Sequence, residues 1–322
     1  MEYTHLGRSG LSVSRLCLGT MNFGWKTEEA DAHAIMDRAH DEGVNFFDTA
    51  NVYGFDAGKG RTEEVLGTWF AQGGGRRERT VLATKVYGSM SEWPNDTFLS
   101  ARNLVRSADE SLRRMQTDWI DLYQFHHVDL ETPWDEIWQA CETLVAQGKV
   151  LYVGSSNHAA WQLVAANEAA ARRHFLGLVS EQSHYNLLTR HVELEVLPAA
   201  RHHGIGVIPW SPLAGGLLAG ALGQPEGTRR TEDRQQRRIE RHRPALQAYE
   251  DACGEWGLAP ADVALAWLLH RDGVTAPIVG PRTMEQFTGS LAALDVRLEQ
   301  AQLDRLDEVF PGFRPAPVEY AW

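Results

Sequence analysis

Cysteine is scarce. The 322 residues contain three, Cys17, Cys141 and Cys253, far apart and without a C-x-x-C pair. That count and spacing argue against a disulfide framework and against a cysteine-bound zinc site. Long apolar stretches are missing too, since no run approaches the ~18 consecutive residues of a membrane span. The start, Met1-Glu2-Tyr3-Thr4-His5, lacks the basic and apolar segments of a signal peptide. A reducing, cytoplasmic location is the resulting expectation, with no membrane partner. Basic charge is in deficit, with Lys+Arg 31 against Asp+Glu 43 and a net charge of −12. An acidic chain without a Lys/Arg stripe argues against a nucleic-acid partner. Finally, no G-x-G-x-x-G turn is present; Gly204-x-Gly206 is followed by Pro209 where the third glycine belongs.

With 43% hydrophobic and 23% charged residues, the composition is that of a globular chain with a large core. Short apolar runs at 15–21, 45–49, 80–86, 119–126, 150–155, 178–182, 206–210 and 276–280 predict eight strands. Between them, residues 28–42, 62–71, 98–115, 134–147 and 159–171 have helical period, as in Ile137, Cys141, Leu144 and Val145. Gly43 and Gly148 stand at helix ends. Strands alternating with helices imply parallel pairing with right-handed crossovers. Runs that are apolar almost throughout fit strands covered on both faces. Eight such units predict an α/β fold, a (β/α)8 TIM barrel, as one domain over residues 1–322 with long loops at the C-terminal face. A doubly wound sheet is the alternative, and the missing glycine-rich turn counts against it. Ahead of the barrel, residues 3–6 and 11–13 flank Gly7-Arg8-Ser9-Gly10 and predict an N-terminal β-hairpin. One segment breaks the rhythm. Residues 222–243 carry Gly223, Pro225 and Gly227, then Arg229, Arg230, Arg234, Arg237, Arg238, Arg241 and Arg243. Its plainer reading is a solvated loop leading into a helix. Its functional reading is a lid over a phosphate-bearing ligand.

Barrel enzymes place their chemistry at the C-terminal ends of the strands. There the second strand ends in Asp48-Thr49-Ala50-Asn51-Val52-Tyr53, the third in Thr84-Lys85 and the fourth in Gln124-Phe125-His126-His127. Asp48, Tyr53, Lys85 and His126 thus converge on one rim. Free tyrosine titrates near ~10 and lysine near ~10.4. An ammonium beside a phenol favours the phenolate, so Lys85 is expected to lower the Tyr53 pKa. A carboxylate orients the lysine, and a histidine hydrogen-bonds a substrate oxygen. The set is suited to protonating a developing alkoxide. Singly, each residue has a structural reading; the joint occurrence at successive strand ends carries the signal. Later strand ends offer binding groups: Ser155-Ser156-Asn157, Glu181-Gln182, and Trp210 followed by small residues whose backbone N–H groups can approach phosphate. Gly280-Pro281-Arg282 follows the eighth strand and opens a helix, an anion site favouring a 2′-phosphate.

These segments resemble the aldo-keto reductases along almost the whole chain. The resemblance rests on Asp48-Thr49-Ala50-x-x-Tyr53-Gly54, Thr84-Lys85, Asp121 through His126, Gly154-Ser155-Ser156-Asn157, Trp210-Ser211-Pro212-Leu213 and Gly280-x-Arg282-x-x-x-Gln286. The opening residues 6–14 are similar to the bacterial branch related to potassium-channel β-subunits. The resemblance implies NADP(H) bound in an extended pose, with Asp48, Tyr53, Lys85 and His126 as the catalytic tetrad and Tyr53 as proton donor. It implies Thr20 and Met21 on the cofactor, Ser156, Asn157 and Gln182 at the carboxamide, and Trp210 stacked on nicotinamide. Ser211, Pro212, Leu213, Gly215 and Leu217 match the pyrophosphate loop. Gly280, Arg282, Gln286 and Ser290 match the adenosine-phosphate end, where Ser290 replaces a frequent asparagine. His127 replaces a frequent tryptophan or arginine. Phe23, Trp25, Tyr87, Trp93 and His127 are expected to line the substrate pocket, with Phe313 or Trp322 from the tail. The expected partner is a small-molecule carbonyl substrate, a sugar or an apolar carbonyl. Two other functional readings are a slow, cofactor-binding regulatory subunit and a metal-dependent hydrolase using His126, His127 and Asp129.

Overall fold

The computed structural model describes residues 1–223 and 233–313. A hairpin of β1 (Tyr3–His5) and β2 (Ser12–Ser14) precedes eight parallel strands. These are β3 (Cys17–Gly19), β4 (Phe46–Asp48), β5 (Val81–Val86), β6 (Ile120–Phe125), β7 (Val150–Ser156), β8 (Leu178–His184), β9 (Gly206–Trp210) and β10 (Ile278–Val279). The sheet runs in the order β10-β3-β4-β5-β6-β7-β8-β9. The ring closes just before β10. Val207 N–H donates to Gly273 O at 3.0 Å, and Thr275 N–H donates to Val207 O at 2.8 Å. This is the (β/α)8 barrel expected from the alternating pattern. The outer strands of the predicted set are shorter than their apolar runs. Pro277 and Pro281 bracket β10, and a residue without N–H cannot extend a ladder.

The surrounding helices are α1 (Glu29–Asp41), α2 (Arg61–Phe70), α3 (Ala101–Met115), α4 (Trp134–Ala146), α5 (Ala160–Arg172), α6 (Val196–His203), α7 (Asp233–Trp256), α8 (Pro260–Leu269), α9 (Met284–Leu291) and α10 (Gln300–Val309). Residues 233–243 of the arginine-rich segment lie in α7, while residues 224–232, on which its loop and lid readings rest, lie outside the described residues. Arg229, Arg230 and the tail residue Trp322 lie outside the described residues.

Two apolar layers result. The larger fills the space between barrel and helices and includes Leu18, Phe47, Leu66, Trp69, Trp138 and Phe287. The smaller fills the barrel's lower interior, where Phe46, Ala83, Leu122 and Ile208 meet Leu6 and Val13 of the hairpin. The hairpin plugs the N-terminal end. Gly7 has φ 57°, and a Cβ there would strike Val179 O and lie 2.5 Å from Gly204 O, so only glycine fits. Side chains alternate along a strand. Two residues above Phe46, Ala83 and Leu122 the same face therefore presents Asp48, Lys85 and Gln124 to the upper interior. The lower layer excludes water and fixes the floor on which the polar residues stand.

Candidate active site

Lys85 is fully buried, with all three ammonium protons committed. Its Nζ donates to Asp48 Oδ2 at 2.6 Å, Thr49 O at 2.8 Å and Tyr53 Oη at 3.2 Å. Asp48 Oδ1 accepts from Gln182 Nε2 at 2.8 Å and Gln124 Nε2 at 3.0 Å. Buried charges persist only when paired and hydrogen-bonded throughout, and this pair meets that condition. Thr20 joins from β3, its Oγ1 and N–H both donating to Asp48 O at 2.9 Å. Tyr53 arrives on the loop after β4. Gly54 follows it at φ 137°, where a Cβ would collide with Gly58 O, so glycine sets the turn that aims the phenol. His126 continues the inward face of Leu122 and Gln124. Its ring lies edge-on to Tyr53 with centroids 5.8 Å apart, and stacks on His127 at 5.0 Å. The four residues expected to converge do so.

The electrostatics assign protons. Burial pushes His126 down to about 2, aided by Lys85 and then His127, so the imidazole is neutral. Burial works against the Lys85 charge, but Asp48 and then Tyr53 outweigh it and hold the ammonium above its ordinary value. For Tyr53 the sequence expectation needs correcting. Burial raises the phenol, Lys85 pulls it only partly back, and the net shift is upward. Tyr53 is therefore a protonated acid at neutral pH rather than a phenolate.

Beside the tetrad, the ends of β7 and β8 are laced together. Ser156 Oγ donates to Gln182 O at 2.9 Å, Asn157 N–H to the same oxygen at 3.0 Å, and Asn157 Nδ2 to Ser156 Oγ at 2.9 Å. Trp210 Nε1 donates to Asn157 Oδ1 at 3.0 Å, and His184 stacks on the indole at 4.2 Å. After Trp210 the backbone turns left-handed at Ser211, Ala214, Gly215 and Gly216. Such turns gather N–H groups into an anion-binding concavity. Pro212 is buried and Leu213 half-buried, while Leu217 is fully buried. Gln235 Nε2 of α7 donates to Gly215 O at 3.1 Å. At the far end, Asn22 Nδ2 donates to Gly280 O at 3.0 Å and Thr27 Oγ1 to Arg282 O at 3.0 Å. Gln286 Oε1 accepts the Arg282 N–H at 2.8 Å, and Ser290 Oγ donates to Phe287 O at 2.6 Å. Met21 is half-buried between Thr20 and Asn22. Asn22 Oδ1, Thr49 Oγ1 and both polar atoms of Asn51 are buried without partners. Orphaned atoms of this kind cost about 1–3 kcal/mol each unless something meets them. Amide side chains beside the tetrad, a half-buried indole and a left-handed loop fit a nicotinamide dinucleotide.

Around the mouth, Trp25 pairs with Phe55 at 4.3 Å, and Tyr87 meets Phe98 and His127 edge-on at 5.3 Å each. Trp93 is 78% exposed. Phe23 is fully buried in the barrel–helix core, so it supports the wall from behind and does not line it. Phe313 packs on His191 at 4.8 Å. The metal-hydrolase reading loses its carboxylate. Asp129 accepts from Leu99 N–H, Glu131 N–H, Thr132 N–H and Thr132 Oγ1, which ties two loops together. Among the described residues no group of three His, Cys, Asp or Glu side chains could hold a metal ion. Sequence reasoning gave no role to Gln124, Asn51, Phe55, Phe98, His158 or His184. Only Gln124 carried a usable signal, two residues before His126 and in phase with it.

Residues 15–310 match the family model described as "Aldo/keto reductase family". The chain belongs to that family. It is 54% identical to the "Uncharacterized oxidoreductase YrpG" of Bacillus subtilis (strain 168), covering 100% of both chains. It is 33% identical to the "Probable voltage-gated potassium channel subunit beta" of Arabidopsis thaliana, over 99% of this chain and 100% of that one. It is 31% identical to the "Versiconal hemiacetal acetate reductase" of Aspergillus parasiticus, over 96% and 97%. Family and relatives make it an oxidoreductase of the carbonyl-reducing class. No described helix is long and apolar enough to cross a membrane.

Proposed function

We propose that the chain is an NADPH-dependent reductase that converts an aldehyde or ketone to an alcohol, with Tyr53 as general acid. The observation carrying this reading is the single ammonium, Lys85 Nζ, shared by Asp48 Oδ2 and Tyr53 Oη at 2.6 and 3.2 Å. NADPH, when bound, supplies the hydride. Tyr53 gives its proton to the carbonyl oxygen as negative charge develops there. Lys85 sits beside the phenol so that the phenolate left behind is stabilised, and Asp48 keeps the ammonium aimed. Neutral His126 holds the same oxygen. General acid catalysis of this kind contributes ~10² to 10⁴ in rate. Ser156, Asn157 and Gln182 hold the carboxamide, Trp210 presents its free face to the ring, and the 211–217 loop wraps the pyrophosphate. Arg282 selects the 2′-phosphate and hence NADPH over NADH. Trp25, Tyr87, Trp93 and His127 face a sugar or apolar carbonyl. The unit spans residues 1–322, works on a small molecule without a nucleic-acid or membrane partner, and resides in the cytoplasm, where its three buried thiols stay reduced.

A second reading, a slowly turning regulatory subunit, is favoured by the 33% identity to the Arabidopsis channel subunit. Steady-state NADPH oxidation with a panel of aldehydes and ketones separates the two. The reductase reading predicts multiple turnovers with at least one aromatic or sugar carbonyl. A single turnover followed by arrest with every compound supports the regulatory one.

A further inference from the structure

Glu181 precedes Gln182 in β8 and is fully buried. Strand alternation turns it away from the face that carries Gln182. Its Oε2 accepts from Ser155 Oγ at 2.5 Å. Its Oε1 accepts from Ser183 Oγ at 2.9 Å and from the His158 N–H at 3.1 Å. Two of these donors, Ser155 and His158, bracket one turn at the end of β7. That turn contains Asn157 at φ 60°, a left-handed conformation that a non-glycine residue keeps only when its surroundings enforce it. Ser156 and Asn157 project from the same turn, and Asn157 in turn fixes the Trp210 indole. The carboxyl does not serve as half of an ion pair. A titratable ring facing it, His158, has Nδ1 at 4.0 Å, but burial pushes that imidazole down to about 4. His158 Nδ1 is spent on Ser156 O at 3.0 Å, a further brace across the turn. Burial also pushes the Glu181 carboxyl up to about 7, against its hydrogen bonds. An ionisable group held in an unfavourable place, with every oxygen aimed at one turn, points to a role in shaping that turn.

We infer that Glu181 is a positioning residue whose carboxyl fixes the 155–158 turn so that Ser156 and Asn157 meet the carboxamide of the nicotinamide. The inference rests on the NADPH reading above. It separates Glu181 from residues that touch the cofactor, and it confines the effect to the nicotinamide end.

The test compares NADPH with 2′-phospho-ADP-ribose, which lacks the nicotinamide, by calorimetric titration of the purified full chain. Glu181→Leu removes all three acceptor contacts at similar volume. Losing the clamp should weaken NADPH about tenfold or more, the size of one or two hydrogen bonds, with the fragment's affinity held within about twofold. Glu181→Gln should recover most of the loss, because its carbonyl still accepts from His158 N–H while Ser155 Oγ accepts from its amide. Equal weakening of both ligands by Glu181→Leu, or of neither, overturns the inference, as does a Gln variant no better than Leu. If Glu181→Leu does not fold, Ser155→Ala removes one anchor and must show a smaller loss confined to NADPH; no loss there also overturns it. A wild-type chain that binds NADPH no better than the fragment fails the cofactor reading itself, a separate result.

Discussion

Replacing Lys85 with methionine tests the buried polar cluster most severely. The side chain keeps its length and apolar stem but loses the ammonium. Asp48 Oδ2 then loses its 2.6 Å partner, while Oδ1 keeps Gln182 and Gln124. Removing one member of a buried pair leaves an uncompensated charge and costs about 3–5 kcal/mol. For 322 residues the unfolding entropy near the midpoint is about 0.7 kcal/mol/K, so Tm should fall by roughly 4–7 °C. Asp48→Asn combined with Lys85→Met removes both charges and should be more stable than the sum of the single losses by about 1 kcal/mol or more. Thermal and urea unfolding followed by circular dichroism measures both. A single-variant loss under about 1 kcal/mol, or strictly additive losses, would refute the view that Asp48 and Lys85 form a charged, mutually dependent pair.

The remaining predictions concern cofactor choice and pH. Arg282→Ala should reduce the preference for NADPH over NADH by about 10- to 100-fold, the worth of a charge-assisted hydrogen bond, measured as the ratio of dissociation constants; an unchanged ratio removes that role from Arg282. At saturating NADPH the pH–rate profile of reduction should be flat from about pH 6 to 9. His126, pushed down to about 2, does not charge there, and Tyr53, raised, does not ionise. An acid limb near pH 6 that vanishes in His126→Asn contradicts this. Glu181 is raised to about 7 from an ordinary 4.5, so the native state binds more protons than the unfolded chain between those values. Wild-type stability should therefore fall relative to Glu181→Gln by about 3 kcal/mol as pH climbs from about 4.5 through about 7. The comparison with the variant is required because buried His126 and His158, both lowered, make the opposite contribution over the same range. Parallel stability curves for the two proteins would sink that assignment.

The barrel was legible because most of its strands are buried on both faces and most of its helices on one, so the period changes at nearly every boundary. Predicted runs at 150–155, 178–182 and 206–210 match β7, β8 and β9 to within two residues at each end. The run at 276–280 shrank to Ile278–Val279, since Pro277 and Pro281 on either side have no N–H with which to extend the ladder. The tetrad was legible because strand parity and the barrel rule together name which side chains share the upper interior. Other features depended on three-dimensional context. The direction of the Tyr53 shift is a contest between burial and Lys85, and burial has no local sequence signature. Phe23 resembles a pocket wall in sequence, yet it is fully buried in the core between barrel and helices. His184 matters through the indole it stacks on, and Glu181 through a turn contributed by another strand.

The most direct test of the central claim is Tyr53→Phe, assayed for turnover at saturating NADPH and for NADPH affinity in the same preparation. The account predicts a turnover lower by about 100-fold or more with the dissociation constant unchanged, because the proton donor is lost and the binding residues are not. Turnover equal to that of the wild type would contradict it.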